Sequence, residues 1–270
     1  MIEIVLEKSF IDEFGIVGSP YAKLLDRIFL VEKNLFILTN ELIQYIEDHA
    51  STMQLSKWSN LFTSLSDSKQ IRFAINDTLD TDIVFNETPK EYDFVIVLTN
   101  NKEDQKSCAI SNTSVVNKVF LDLLANDSKA YFNYAMFSHD VDIKSIFDKL
   151  FHCTKSKNYR MIIISRYLRT CEIIELLKHH FKTKTYWTTD KDKTLNGLKP
   201  ILGTLLHLYT GTNAQIHERE LIIGNMIIDF TDDFDKINTQ YQTWGCNINI
   251  DKNQADSLRA KQLKLKRVYH

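Results

Sequence analysis

Short, continuous runs of apolar residues recur along the first half of the chain, each bounded by polar or turn residues. Runs of this length are typical of buried strands, and they cover residues 2–6, 35–38 and 92–98. Between them, apolar positions recur at helical spacing. Helices are predicted over residues 21–30 with Pro20 at the start, from an N-cap at Asn40, around residues 55–65 and over residues 115–124. Residues 71–85 fit neither pattern, and residues 100–117 are predicted to form a polar connection.

The second half alternates more regularly between the two patterns. Strands are predicted over residues 159–165, 184–189, 205–209, 215–223 and 226–230. Helices are predicted over residues 143–151, 171–181 and 195–202. The dipeptide Gly224-Asn225 predicts a tight turn between the last two strands. Strands that alternate with helices in this way predict an α/β protein whose second half is a mixed sheet flanked by helices.

The length of 270 residues suits two modest domains. A polar stretch near residues 126–129 marks the expected boundary. We therefore predict an N-terminal α/β domain over residues 1–125, a C-terminal domain over residues 126–250 and a basic C-terminal tail over residues 251–270. With 44% hydrophobic and 25% charged residues, both domains have enough apolar side chains to bury a core.

Charge and cysteine usage indicate which partners and which cellular compartment to expect. A net charge of −2 creates no global basic field, so a nucleic-acid partner needs a local patch. The first ten residues lack the basic start of a signal peptide, and no window approaches 18 apolar residues, so no transmembrane segment is expected. The cysteines lie far apart, at Cys108, Cys153, Cys171 and Cys246, and indicate free thiols. We expect a cytoplasmic protein.

One segment of the second half carries candidate chemistry. His217, Glu218 and Arg219 precede two apolar strands joined by a tight turn, and an acidic loop follows. This pattern resembles the phospholipase D superfamily, and more closely the single-copy phospholipase-D-like domain of MIT-domain proteins, over about residues 130–250. The resemblance implies that His217 is a nucleophile on phosphorus and that Arg219 neutralises phosphoryl oxygens, with no cofactor. The family has Lys where Arg219 stands, and its Gly-Ser-x-Asn loop has no match here.

Two further expectations concern the same site. Alternation along a strand predicts that His217 and Arg219 share one face, about 6–7 Å apart. Arg166 follows a predicted strand, and ligands of α/β sheets bind at strand C-termini, so Arg166 is a second candidate phosphate ligand. An active site of this superfamily needs two such motifs, and the resemblance therefore implies a homodimer. The alternative is that His217 and Arg166 are ordinary surface residues.

The first half resembles a PIN-like nuclease domain. The resemblance rests on Glu7 at the end of the first strand, on Glu41 after the second, and on the strand over residues 92–98, where Asp93 lies. It implies Mg²⁺ or Mn²⁺ held by Glu7, Glu41 and Asp93 for phosphodiester hydrolysis. Asp77 is another possible source of the charge. The alternative is that these acids are surface residues on a degenerate PIN-like scaffold.

Both halves point to phosphodiesters, which predicts a nucleic-acid-processing protein. The favoured hypothesis is a nuclease-type effector of a microbial antiviral defence or toxin system. The alternatives are a non-catalytic module that binds phosphate on nucleic acid or acidic lipid, and a structural subunit of a larger complex. Five basic residues without an acid lie within residues 258–267, and this stretch is typical of a phosphate clamp, of a membrane-surface contact or of a solvated tail.

Overall fold

The computed structural model describes residues 1–16, 18–87, 94–133, 143–154, 161–166, 179–180, 184–190, 192–193, 195–196, 198, 206–234, 237 and 244–269. The chain divides into two compact units, Met1–Lys129 and Ala130–His270. Each unit is built around one sheet, of five strands in the first case and eight in the second. Helices accompany both sheets, which confirms the expected α/β class.

All five strands of the first unit are parallel and lie in the order β3-β2-β1-β4-β5. They are β1 Ile2–Leu6, β2 Asn34–Leu38, β3 Ile71–Phe73, β4 Phe94–Thr99 and β5 Ser107–Ala109. The helices described here are α1 Lys8–Glu13, α2 Ala22–Leu30, α3 Asn40–His49, α4 Thr52–Asp67, α5 Thr81–Glu87 and α6 Val115–Ala125. The direction of winding changes between β1 and β4, and sheets of this kind bind ligands at the C-terminal ends of such strands.

Two neighbours in β2 show why the central strands of this sheet carry apolar residues on both faces. The ring of Phe36 lies 4.9 Å from that of Phe29 in α2. The next residue, Ile37, packs in a cluster with Val84 and Phe85 of α5. Because successive side chains of a strand point to opposite faces, helices must cover both faces of the sheet.

Local details of the first unit differ from the sequence predictions. Helix α3 is capped by Thr39, whose hydroxyl accepts from the Leu42 amide at 3.0 Å, and Asn40 is its first residue. Helix α2 begins at Ala22, two residues after Pro20. The predicted polar connection over residues 100–117 contains β5, which is too short to show a strand pattern. The ambiguous residues 71–85 contain β3, an irregular connection over residues 74–80 and the first five residues of α5.

The second unit has the predicted mixed sheet, in the order β13-β9-β8-β7-β10-β11-β12-β6. Strands β7, β8 and β9 are parallel, whereas β10 pairs antiparallel with β7 and β11. The strands are β6 Lys129–Asn133, β7 Met161–Ile164, β8 Lys184–Thr188, β9 Leu206–Thr210, β10 Glu220–Ile223, β11 Met226–Phe230, β12 Gly245–Ile250 and β13 Lys266–Tyr269. The helices of this unit include α7 Ile143–Cys153 and α8 Lys252–Lys261.

Residues 251–269 are part of this unit, so the prediction of a basic tail is wrong. Asp251 caps α8 by accepting from the Gln254 amide at 3.0 Å. Ala255 and Leu258 of α8 are buried in the core cluster of the sheet. Strand β13 then pairs antiparallel with β9. The two buried side chains, three residues apart, form the apolar stripe of an otherwise polar helix, which is too narrow to stand out in the sequence.

Other predictions for the second half have mixed outcomes. Strand β11 and the turn at Gly224, where φ is +55°, have the predicted bounds and place. Strand β10 begins at Glu220 rather than at residue 215, because residues 211–219 form a turn and an irregular segment. Strands β6 and β12 were not predicted. Most of the predicted helix over residues 171–181, apart from residues 179–180, and most of that over residues 195–202 lie outside the described residues.

Asn34 offers a test of the first unit. Its side-chain amide donates to the carbonyl oxygens of Ile28 and Leu124, at 2.8 Å each, and the residue is 1% exposed. We expect Asn34→Ala to lower the free energy of unfolding by about 1–3 kcal/mol, because two buried acceptors lose their donors. Denaturant titration measures this, with Asn60→Ala on the exposed face of α4 as the control. An equal loss in both variants would contradict the role of Asn34.

Candidate functional site

The side chains of Arg166 and His217 meet at the C-terminal end of β7. Nη2 of Arg166 lies 2.7 Å from Nδ1 of His217, and Nε of Arg166 lies 3.4 Å from the carbonyl oxygen of Ile216. A guanidinium has donors but no acceptor, so Nδ1 accepts this hydrogen bond. The proton of the neutral imidazole is therefore on Nε2. The pair offers hydrogen-bond donors and one positive charge, which suits an anion.

The backbone of Arg166 is fixed by the neighbouring parallel strand. Its carbonyl oxygen accepts from the hydroxyls of Thr188 at 2.8 Å and Thr189 at 3.1 Å, both at the end of β8. The Ser165 amide donates to the carbonyl oxygen of Trp187 at 3.1 Å, so the β7–β8 ladder continues up to Arg166. Sequence reasoning missed the two threonines, although they end a predicted strand.

His217 is exposed, but its segment is held from both sides. The preceding residue, Ile216, is fully buried in the core of the sheet. The His217 amide donates to Oε2 of Glu218 at 3.0 Å, and Oε1 of Glu218 lies 3.3 Å from Nζ of Lys261 in α8. The Phe230 amide donates to the carbonyl oxygen of Arg219 at 2.8 Å. An exposed imidazole on a fixed backbone is arranged for contact with a ligand.

Arg219, which the resemblance expects to neutralise phosphoryl oxygens, forms an ion pair within the chain. Its Nε forms an ion pair with Oδ1 of Asp233, in the acidic loop after β11, and both side chains are about one-third exposed. His217 and Arg219 precede β10, which begins at Glu220. The expectation that strand alternation places their side chains on one face therefore does not apply. The described contacts thus bring Arg166 to His217 and bring Arg219 to Asp233.

Two acids lie directly opposite each other on β10 and β11, beside this site. Glu220 pairs in register with Asp229 and is only 8% exposed, and its Oε2 has no hydrogen-bond partner in the described part of the chain. Burial, together with the charges of Glu218 and Asp229, raises the pKa of Glu220 to about 7 against the opposing charge of Lys261. Burial also raises the pKa of Asp229. Near neutral pH, Glu220 is therefore only partly ionised.

The pKa of Glu220 predicts how stability depends on pH. Because the folded state raises this pKa from 4.5 to about 7, the fold binds the proton more tightly than the unfolded chain does. The contribution of Glu220 to stability is thus greatest below pH 4.5 and is lost as the pH rises to about 7. We expect Glu220→Gln to be more stable than the parent at pH 8, by up to about 3 kcal/mol, with no advantage at pH 4.

The measurement is the free energy of unfolding by denaturant at several pH values. Glu47→Gln, on the exposed face of α3, removes the same charge and is the matched control. A parallel shift of both variants across the whole pH range would contradict the assignment to Glu220.

In the first unit, the carboxylate of Glu7 links the end of β1 to α1 and to the end of β4. Glu7 is the N-cap of α1, and its Oε2 accepts from the Ser9 amide at 3.2 Å. The same oxygen accepts from the hydroxyl of Thr99 at 3.0 Å, at the end of β4, and from the Ser9 hydroxyl. These bonds tie together the two strand ends at the switch point of the sheet.

Glu41 is engaged separately, on the loop after β3. Its Oε2 accepts from the Leu79 amide at 3.0 Å, and its own amide donates to Oδ1 of Asp77 at 2.9 Å. No contact between Glu7 and Glu41 is recorded among the described residues, and Asp93 lies outside them. The described ranges contain no group of three His, Cys, Asp or Glu side chains that suits a metal ion. Binding of Mg²⁺ or Mn²⁺ by Glu7, Glu41 and Asp93 stays a prediction.

Comparison with known proteins adds a likeness of fold. No family model and no curated protein matches the chain. Similar solved structures include Nuc from Salmonella typhimurium, a phospholipase D family member, at 11% identity and a TM-score of 0.35, covering 41% of this chain and 82% of Nuc. NucT from Helicobacter pylori has 13% identity and a TM-score of 0.32 over 41% of this chain and 82% of NucT. TrmBL2, an archaeal chromatin protein with a described mode of DNA binding, has 14% identity and a TM-score of 0.29 over 42% and 46%.

Likenesses at these TM-scores are too weak to assign an activity. In the part of the chain that the structure describes, no helix has both the length and the apolar character to cross a membrane. The described cysteines, Cys108, Cys153 and Cys246, are buried free thiols.

Proposed function

We propose that this protein binds the phosphodiester backbone of nucleic acid at the Arg166–His217 pair. The observation that supports the proposal is the 2.7 Å hydrogen bond between the two side chains. Arg166 has no carboxylate partner among the described residues, where its side chain donates to two neutral acceptors, the ring of His217 and the carbonyl oxygen of Ile216. A guanidinium in that state binds phosphate oxygens strongly, and the Nε2 proton of His217 adds a second donor.

The geometry favours binding over hydrolysis. A histidine that attacks phosphorus must offer the lone pair of one ring nitrogen. In His217 the lone pair of Nδ1 accepts from Arg166, and Nε2 carries the proton. Neither nitrogen is prepared for attack, so the non-catalytic phosphate-binding module is the better account of this arrangement.

Hydrolysis is a second candidate function because a bound phosphate can replace the hydrogen bond between Arg166 and His217. A phosphate that draws Arg166 away from His217 releases Nδ1 and leaves an imidazole beside a cation that neutralises phosphoryl oxygens. Nuclease activity of this kind needs no metal and, by the resemblance to phospholipase D, needs two copies of the chain. The role in microbial defence or toxicity, the homodimer and the PIN-like metal site of the first unit stay predictions.

Arg166 gives the direct test of binding. We expect Arg166→Ala to weaken binding to fluorescent single-stranded oligonucleotides about 10- to 100-fold, regardless of their sequence, because one charge-assisted phosphate contact is lost. The slope of log K against log salt should fall by about 0.7. Arg27→Ala, an exposed arginine of the first unit, removes the same charge and should change neither value. Equal effects of the two variants would overturn the proposed site.

Cleavage assays separate the two candidates. Labelled DNA and RNA are incubated with the protein in Mg²⁺ or Mn²⁺ and in EDTA. Cutting that survives EDTA and is lost in His217→Ala would establish the nuclease at His217. Cutting that needs metal and survives this substitution would place it at the acids of the first unit. Binding without cutting is the result we expect.

Asp233 should act as an internal competitor of the ligand. It holds the guanidinium of Arg219 in an ion pair, so Arg219 reaches a phosphate only when that pair opens. We expect Asp233→Asn to raise oligonucleotide affinity about 3- to 10-fold, since it releases a cation beside the site. Asp232→Asn removes the same charge one residue away and should have a smaller effect. If both raise affinity equally, the effect is one of net charge alone and Asp233 has no special role.

A further inference from the structure

The basic residues near the C-terminus are held in fixed positions beside the His217 segment. Lys261 ends α8, Lys264 ends the 3-10 turn Gln262–Lys264, and Lys266 and Arg267 lie in β13. We call these four residues the basic ridge. Because their backbone belongs to a helix, a turn and a paired strand, the spacing of their charges is set by the fold. A solvated tail would not have this property.

Contacts attach the ridge to the segment that carries His217. Nζ of Lys261 lies 3.3 Å from Oε1 of Glu218, the residue after His217. The side-chain amide of Gln215 donates to the carbonyl oxygen of Lys264 at 3.3 Å. Packing at Gly211 is also close, because a Cβ there would lie 2.7 Å from a methyl group of Leu265. The ridge therefore contacts the His217 segment on both sides of the histidine.

The charges of the ridge are poorly compensated. Lys264 and Lys266 are exposed, and neither forms an ion pair within the described ranges. The guanidinium of Arg267 donates to Nδ1 of His207 at 2.6 Å, again a neutral acceptor. Only Lys261 has a recorded carboxylate partner, Glu218. No acid occurs in the sequence after Asp256.

We infer that the basic ridge binds further phosphates of the nucleic-acid strand whose backbone contacts Arg166 and His217. This inference rests on the proposed function and extends it, because it makes the ligand an extended polyanion rather than a single phosphate. Lysines on an edge strand also discourage edge-to-edge aggregation, and that role accounts for Lys266 and Arg267. It does not account for Lys261 and Lys264, which precede the strand.

A nucleic acid fits the ridge better than a membrane does. A helix that lies in a lipid surface inserts an apolar face beneath its basic residues. Two apolar residues of α8, Ala255 and Leu258, are instead buried against the sheet. Among the side chains that the structure describes, the ridge thus has charge but no large apolar face to insert, which suits a phosphate backbone in water.

The test is a salt titration of binding to a single-stranded oligonucleotide. The double variant Lys264→Ala/Lys266→Ala should weaken binding at least 10-fold and lower the slope of log K against log salt by about 1.4, since two phosphate contacts are lost. The matched control is Lys23→Ala/Lys252→Ala, two exposed lysines, one in α2 and one at the other end of α8. It should behave as the parent protein does. A ridge variant with the parent slope would overturn the inference.

Inorganic phosphate separates this inference from the proposed function. If the proposed function and the inference both hold, the ridge variant binds the oligonucleotide more weakly than the parent protein does. Inorganic phosphate then still competes with the oligonucleotide at Arg166 as it does in the parent. If Arg166→Ala loses affinity and the ridge variant does not, only the inference fails. If the parent protein binds no oligonucleotide, both fail. Sedimentation with phosphatidylserine vesicles that depends on Lys264 and Lys266, without oligonucleotide binding, would also overturn the inference in favour of a membrane surface.

Discussion

The antiparallel pairing of β10 with β7 on one side and β11 on the other determines where the candidate site lies. Glu220 is in register with Ile164 and with Asp229. The ladder ends at Ile164 and Glu220, and Arg166 and His217 lie two and three residues beyond it, which explains why their side chains are close enough to form a hydrogen bond. A slip of one residue would send every side chain of β10 to the opposite face and would break this contact. The same register places the buried Glu220 directly opposite the exposed Asp229, so two acids lie side by side next to the site.

The two arginines of the site differ in how strongly they can attract a phosphate. The difference follows from their hydrogen-bond and ion-pair partners, since the residue type is the same. Arg166 donates to a neutral imidazole, whereas Arg219 is neutralised by Asp233. A guanidinium beside a neutral acceptor keeps its long-range attraction for phosphate, and one in an ion pair has lost most of it. Arg219, two residues after His217, is therefore the weaker candidate for phosphate binding in this state. The stronger candidate, Arg166, lies 51 positions away from the histidine.

Sequence reasoning succeeded where the signal was local. Strand β11 and the turn before it were predicted with their bounds, because a continuous apolar run and a Gly-Asn dipeptide identify both. It failed for β13, a four-residue strand that begins with Lys266 and Arg267, because the basic residues here were interpreted as a tail and the strand depends on pairing with β9. Arg166 was predicted as a ligand from its place after a strand, but its contact with His217 required the register of β7 and β10. The burial of Glu220 contradicts its residue type, and no local pattern signals it.

Glu7 illustrates why an acid at the end of a strand does not by itself indicate metal chemistry. A metal-binding carboxylate must keep lone pairs directed at the ion, and further oxygen ligands must surround the ion. One oxygen of Glu7 already accepts from a helix amide and two hydroxyls, and the residue that faces it from β4 is Thr99. This set of donors is complementary to a carboxylate, and a cation bound to the same oxygen would have to displace them. The switch point of the first sheet is thus tied together by hydrogen bonds, whereas the donors of Arg166 and His217 have no anionic partner among the described residues and are the better candidates to bind a ligand.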